Sequence, residues 1–128
     1  MYNANAHNIY KNNSINCASR EQLLLMLVDG AVKFAKRGKL GIEENNIKMA
    51  HESLVRVQDI FSELMATLDR NAGEWTNDLF ELYRFINETA AQANLKKDIT
   101  KANELIDLVS GIRDMWYEAY AISKKQAL

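Results

Sequence analysis

The sequence predicts an all-α fold, an antiparallel up-down four-helix bundle, and three observations carry that prediction. The 128-residue chain has no proline and only five glycines, so little in it forces frequent turns. Four stretches repeat apolar residues in steps of three and four, the spacing of one helix face. No stretch alternates apolar and polar residues strongly enough to compete as a strand. At this length a single domain is expected.

The first helix is predicted to start at Ser19, because Ser19-Arg20-Glu21-Gln22 has the form of a capping box. Leu23, Leu24, Leu27, Ala31, Phe34 and Ala35 then follow one face. Gly38 and Gly41 mark its end, with Lys33, Lys36, Arg37 and Lys39 near a terminus whose dipole favours cations. The second helix has the cleanest pattern: Ile47, Ala50, Leu54, Val57, Phe61, Leu64 and Leu68 alternate steps of three and four. Asn45 or Asn46 suits its cap, and Asn71-Ala72-Gly73 its stop. The third is predicted from near Thr76, with Leu79, Leu82, Tyr83, Ile86, Ala90 and Ala93 on one side. The fourth follows Asp98 as N-cap and carries Ala102, Leu105, Val109, Ile112, Trp116 and Ala119. Connections this short favour antiparallel neighbours.

Residues 1–18 differ in kind from the bundle predicted over 19–128. Asparagine stands at 3, 5, 8, 12, 13 and 16, and Ile9, Tyr10 and Ile15 are the large apolar anchors. The segment reads either as a frayed terminus or as a mobile N-terminal arm that docks Ile9 and Tyr10 on the bundle.

Composition excludes several classes of function. Hydrophobic residues make up 48% and charged residues 26%, the balance of a soluble globular protein. Sixteen Lys+Arg against seventeen Asp+Glu argue against a nucleic-acid partner, which would need phosphates neutralised. The single cysteine, Cys17, allows no internal disulfide and points to a reducing compartment. Met1 to Asn13 lack a basic start and a signal-like apolar core. The apolar run Leu23 to Val28 falls far short of the roughly 20 residues that span a bilayer. A cytoplasmic protein without membrane insertion is expected.

No catalytic residue, cofactor or metal is predicted. Neither His7 nor His51 has a Glu three residues before it, as a di-iron bundle requires. Cys17 has no CxxC partner, and neither a phosphate-cradling loop nor GxSxG occurs. His51 is the alternative to weigh, because histidine-phosphotransfer domains are also small four-helix bundles. They resemble His-x-x-Lys-Gly, whereas His51 is followed by Glu52, Ser53, Leu54 and Val55, so a boundary histidine is favoured.

What the sequence holds in surplus is apolar surface. Leu25, Val28 and Val32 form a second row in the first helix, and Leu108, Met115 and Ile122 repeat every seven residues in the fourth. Bundle helices touch two neighbours, so wide stripes are ordinary. Two such helices together suggest a groove for an amphipathic partner segment, with Met26, Met49, Met65 and Met115 available as adaptable surface. Asp29-Gly30 is expected to be structural, Gly30 permitting close helix approach and Asp29 pairing with a basic neighbour. Arg113 and Asp114 are expected to clamp two helices.

Several ordered motifs carry a family resemblance. Ile9-Tyr10 with Asn12 and Asn13, followed by Ser19-Arg20-Glu21-Gln22-Leu23-Leu24-Leu25-Met26-Leu27-Val28-Asp29-Gly30-Ala31, resembles the flagellar secretion chaperone family FliS. Leu64 to Asp69, Asn77-Asp78-Leu79 with Leu82-Tyr83, and Ile112-Arg113-Asp114-Met115-Trp116 are similar to later motifs of that family. The departures are Arg20 where proline is common and Val28 where tyrosine is usual. The resemblance implies a chaperone that binds the C-terminal segment of flagellin, prevents premature polymerisation and delivers it to the flagellar type III export gate. Other flagellar regulators are further expected partners. It also implies that the arm, through Ile9 and Tyr10, competes with the client for its groove.

Overall fold

The computed structural model describes residues 17–126. They form four helices: α1 (Cys17–Glu43), α2 (Ile47–Thr67), α3 (Trp75–Lys96) and α4 (Ile99–Gln126). Each helix packs on its neighbours in the chain, and α4 closes the ring against α1. His51 near the start of α2 meets Asn94 near the end of α3, and Glu21 of α1 meets Ser123 of α4, so neighbours run antiparallel. The structure is the predicted up-down bundle. Residues 1–16 of the predicted arm, Ile9 and Tyr10 included, lie outside the described residues.

The core follows the predicted seams. Ala50, Leu54, Val57, Phe61 and Leu64 of α2 are buried, as are Leu79, Tyr83, Ile86, Ala90 and Ala93 of α3. Ala102, Leu105, Val109 and Ile112 complete the ring from α4. The rings of Phe61 and Tyr83 meet edge to face at 5.7 Å between centroids, a favoured aromatic geometry that ties α2 to α3. Ile47 of α2, Leu82 of α3 and Ala119 of α4, expected on the inner faces, are instead exposed.

Two features of α1 depart from expectation. The helix backbone starts at Cys17, which puts Ser19 in the first turn rather than at the cap. Gly38 and Gly41 do not end the helix, which continues to Glu43. They are glycines because α2 lies so close. A Cβ on Gly38 would stand 2.8 Å from the Leu54 side chain, and one on Gly41 would stand 2.6 Å from the backbone nitrogen of Ala50.

The stop comes at Asn45, which adopts the left-handed conformation at φ 57°. The Asn46 amide then bonds the Gly41 carbonyl at 2.8 Å, and the Asn45 amide bonds that of Ile42 at 3.2 Å, a Schellman termination. Asn46 also caps α2, its side-chain oxygen accepting from the Met49 amide at 3.1 Å. Asp98 caps α4 as predicted, accepting from the Thr100 amide at 2.8 Å.

Candidate functional site

Away from that tight turn, at the opposite end of the bundle, the helices part around a cleft of about 410 Å³. Its apolar walls include Leu23, Leu24 and Leu27 of α1, Leu68 after α2, Trp75 of α3 and Trp116 of α4. Arg20, Glu63 and Asp69 supply the charged part of the lining. A second cleft of about 210 Å³ between α1 and α4 shares Leu24 and Trp116 and adds Leu25, Ala119 and Tyr120. The shared residues make one continuous apolar tract across the mouth of the bundle.

The connection between α2 and α3 places Trp75 at this mouth. Gly73 has φ +154°, which side chains rarely adopt, and a Cβ there would stand 2.7 Å from the Trp75 ring. The Thr76 hydroxyl donates to the Gly73 carbonyl at 2.7 Å, and the Arg70 guanidinium donates to Asn77 at 2.7 Å while lying 4.3 Å from the centre of the Phe80 ring. These contacts fix the loop and leave the indole 53% exposed. An aromatic held in place yet mostly uncovered suits a partner-binding surface.

The last part of α4 forms the other wall. Beyond Ile112, none of its described residues is buried, so polar contacts do much of the anchoring. The Trp116 indole nitrogen donates to the Tyr83 hydroxyl oxygen at 2.8 Å, and the Tyr117 hydroxyl donates to Asp29 at 2.6 Å. Burial pushes the Tyr83 hydroxyl up to about 12, opposed by the hydrogen bond from Trp116, so Tyr83 stays neutral at ordinary pH. Tyr117 is also raised, chiefly because it donates to the Asp29 carboxylate. Asp29 thus pairs with a tyrosine rather than with the expected basic neighbour. Arg113 bonds the adjacent Asp114 at 3.4 Å and does not clamp two helices.

The predicted partner rows divide. Leu25, Val28 and Val32 are 8%, 0% and 4% exposed, so the second row of α1 is sealed in the bundle. The reason is that α1 packs against both α2 and α4, which uses a wide apolar arc. Leu25 alone of the three borders a cleft. Leu108 is half-buried against the core, whereas Met115 and Ile122 are 38% and 50% exposed. The partner rows do not include Trp75, the first residue of α3, or Leu68, which the seam assigned to the core and which follows the last turn of α2. His51 is exposed, and its Nδ1 lies 3.1 Å from the Asn94 side-chain nitrogen. Among the described residues no group of three or more His, Cys, Asp or Glu side chains is placed to hold a metal ion. No described helix is long and apolar enough to cross a membrane.

Comparison with known proteins identifies a family. The profile of the family described as "Flagellar protein FliS" matches residues 1–123. The flagellar secretion chaperone FliS of Bacillus subtilis (strain 168) is 32% identical over 121 residues, covering 94% of this chain and 90% of the relative. The protein of the same name from Campylobacter jejuni is 31% identical over 121 residues, covering 94% of each. That of Escherichia coli (strain K12) is 33% identical over 104 residues, covering 80% of this chain and 76% of the relative. Matched over nearly its whole length, this chain belongs to the FliS family of flagellar secretion chaperones.

Proposed function

We propose that this protein is a non-enzymatic cytoplasmic export chaperone that holds the C-terminal segment of flagellin against the mouth of the bundle. The observation that supports this reading most is the continuous apolar tract, walled by Leu24, Leu68, Trp75 and Trp116, at one end of an otherwise sealed core. A disordered tail that would make helical contacts in a filament can lay short amphipathic helices on such a tract instead. Coupled folding of this kind buries roughly 1,000–3,000 Å² and spends about 2–5 kcal/mol on ordering. Covering the tail blocks premature polymerisation, and the complex is then carried to the flagellar type III export gate. Met115 and Ile122 extend the contact surface along α4, and Leu108 and Leu25 support it from below. Val28 and Val32, sealed in the core, are not part of it.

In this reading the segment before α1, predicted as residues 1–18 and cut to 1–16 by the helix start at Cys17, acts as an arm, with Ile9 and Tyr10 competing for the client's place. Calorimetry with a flagellin C-terminal peptide tests the central claim. Saturable binding that Trp75→Ala weakens supports it, and no detectable heat at tens of micromolar overturns it. Deleting residues 1–16 should raise client affinity with helicity retained; unchanged or weaker affinity removes the competing role of the arm.

A further inference from the structure

The cations of α1 lack a local reason. Lys33, Lys36, Arg37 and Lys39 stand between Asp29 and Glu43 with no carboxylate among them. The helix dipole was their expected partner, yet α1 runs on to Glu43 and its last turn holds no base. Dipole stabilisation fades within that last turn. Among the described residues, none of the four forms an ion pair, and neither does Arg56 on α2.

Two of these cations converge on one ring. Lys33 Nζ lies 5.5 Å, and the Arg56 guanidinium carbon 5.0 Å, from the centre of the half-buried Phe34 ring. Arg37, one turn beyond Lys33, lines the same groove of about 430 Å³ between α1 and α2, with Ser53 and Val55. The one carboxylate in its lining, Glu52, faces Lys48 at 3.9 Å. The groove therefore presents an apolar ring beside Arg37 and Arg56, two arginines that form no ion pair among the described residues, with Lys33 over the same ring though outside the groove's lining.

We propose that this groove is a second docking surface, which takes an acidic segment of another protein. One apolar side chain of that segment rests on Phe34, and its carboxylates meet Arg37, Arg56 and Lys33. Charge complementarity selects the occupant, since guanidinium forks match carboxylates in two parallel hydrogen bonds. Residues 1–16 do not suit the role, because they contain no Asp or Glu. A nucleic acid fits less well, because two arginines and a lysine around one aromatic ring make a short tract for a phosphate backbone. Phe34 lies ten residues beyond Leu24 on α1, about 15 Å along the axis, so both surfaces are open together. The proposal does not rest on the client reading above.

The test uses the full chain and a fluorescein-labelled peptide of Asp and Glu around one Leu, followed by anisotropy. Saturable binding is expected at about 50 mM salt, weakening as the salt rises to about 300 mM. Arg37→Glu with Arg56→Glu should lower affinity by about tenfold or more, equivalent to ~1.4 kcal/mol. A peptide with Lys replacing the acids should bind that double variant and not the parent, while Arg84→Glu on α3 should change nothing. Amide shifts on titration should centre on residues 33–37 of α1 and 52–56 of α2. Circular dichroism checks the fold, and Arg37→Ala with Arg56→Ala gives the same direction should the charge reversal lose helicity. Four results overturn the proposal: no saturable binding at low salt, equal loss in Arg84→Glu, displacement of the peptide by single-stranded DNA or phosphatidylserine vesicles at matched charge, or a dimer that the double variant dissolves.

Discussion

Where α1 turns into α2, Gly41 brings two backbones so near that a methyl group would not fit, and Asn46 ends one helix while capping the next. At the other end, Trp75 stands exposed at the rim of a cleft that no described side chain fills, and Met115 and Ile122 are exposed on α4. Small residues at one end and large apolar ones at the other do opposite work. Close approach needs small residues, and where they occur the core seals. Where aromatic and long aliphatic side chains replace them, the helices stay apart and an apolar cleft remains.

The contrast can be broken by substitution. Phe61→Ala should have the largest effect, about 3–5 kcal/mol lost in urea unfolding, because a fully buried ring leaves a cavity. Trp75→Ala at the mouth should cost under about 0.5 kcal/mol by the same measurement. Gly41→Ala comes next. Alanine favours a helix over glycine by about 0.5–1 kcal/mol, but the clash with the Ala50 backbone should outweigh this and leave a net loss of about 1–3 kcal/mol. If client binding occurs at the mouth, Ile122→Glu should weaken a flagellin C-terminal peptide by about tenfold in calorimetry with the melting temperature hardly moved.

Alkaline titration sharpens the comparison further. The Tyr83 hydroxyl has its folded value raised from 10.0 to about 12, so between these values the unfolded chain loses this proton first. Stability should therefore decline as pH rises through that window, as followed by circular dichroism, and Tyr83→Phe should remove this part of the decline. A small gain is expected at Gly111, where a Cβ meets nothing within 4 Å. Gly111→Ala should raise stability by about 0.5–1 kcal/mol through helix propensity alone, the opposite sign to Gly41→Ala.

The α2 seam was legible because Ala50, Leu54, Val57, Phe61 and Leu64 face one direction at an unbroken helical period. Asp98 was legible because a cap acts within three residues. Val28 and Val32 are sealed in the core, and periodicity could not show it for a definite reason. Periodicity tells how wide an apolar stripe is, and not whether a second helix or a partner covers it. Gly38 and Gly41 read as stops because a glycine that admits a neighbouring backbone looks the same in sequence as one that ends a helix. The Trp116–Tyr83 bond joins positions 33 residues apart, beyond any local pattern. The ordered motifs from Ser19 to Trp116 carried the family resemblance, while the mouth itself emerged only once Leu68, Trp75 and Trp116 were brought together in space.

The compact junction at Asn45 and Asn46 has a consequence for how the molecule assembles. Joining α1 to α2 there closes a very short loop, which costs little chain entropy, whereas the Tyr117–Asp29 and Ser123–Glu21 contacts close separations of 88 and 102 residues. Assembly should start at the hairpin and run toward the wide end. Amide exchange should run in the reverse order, with the far turns of α4 losing protection first and the α1–α2 hairpin last.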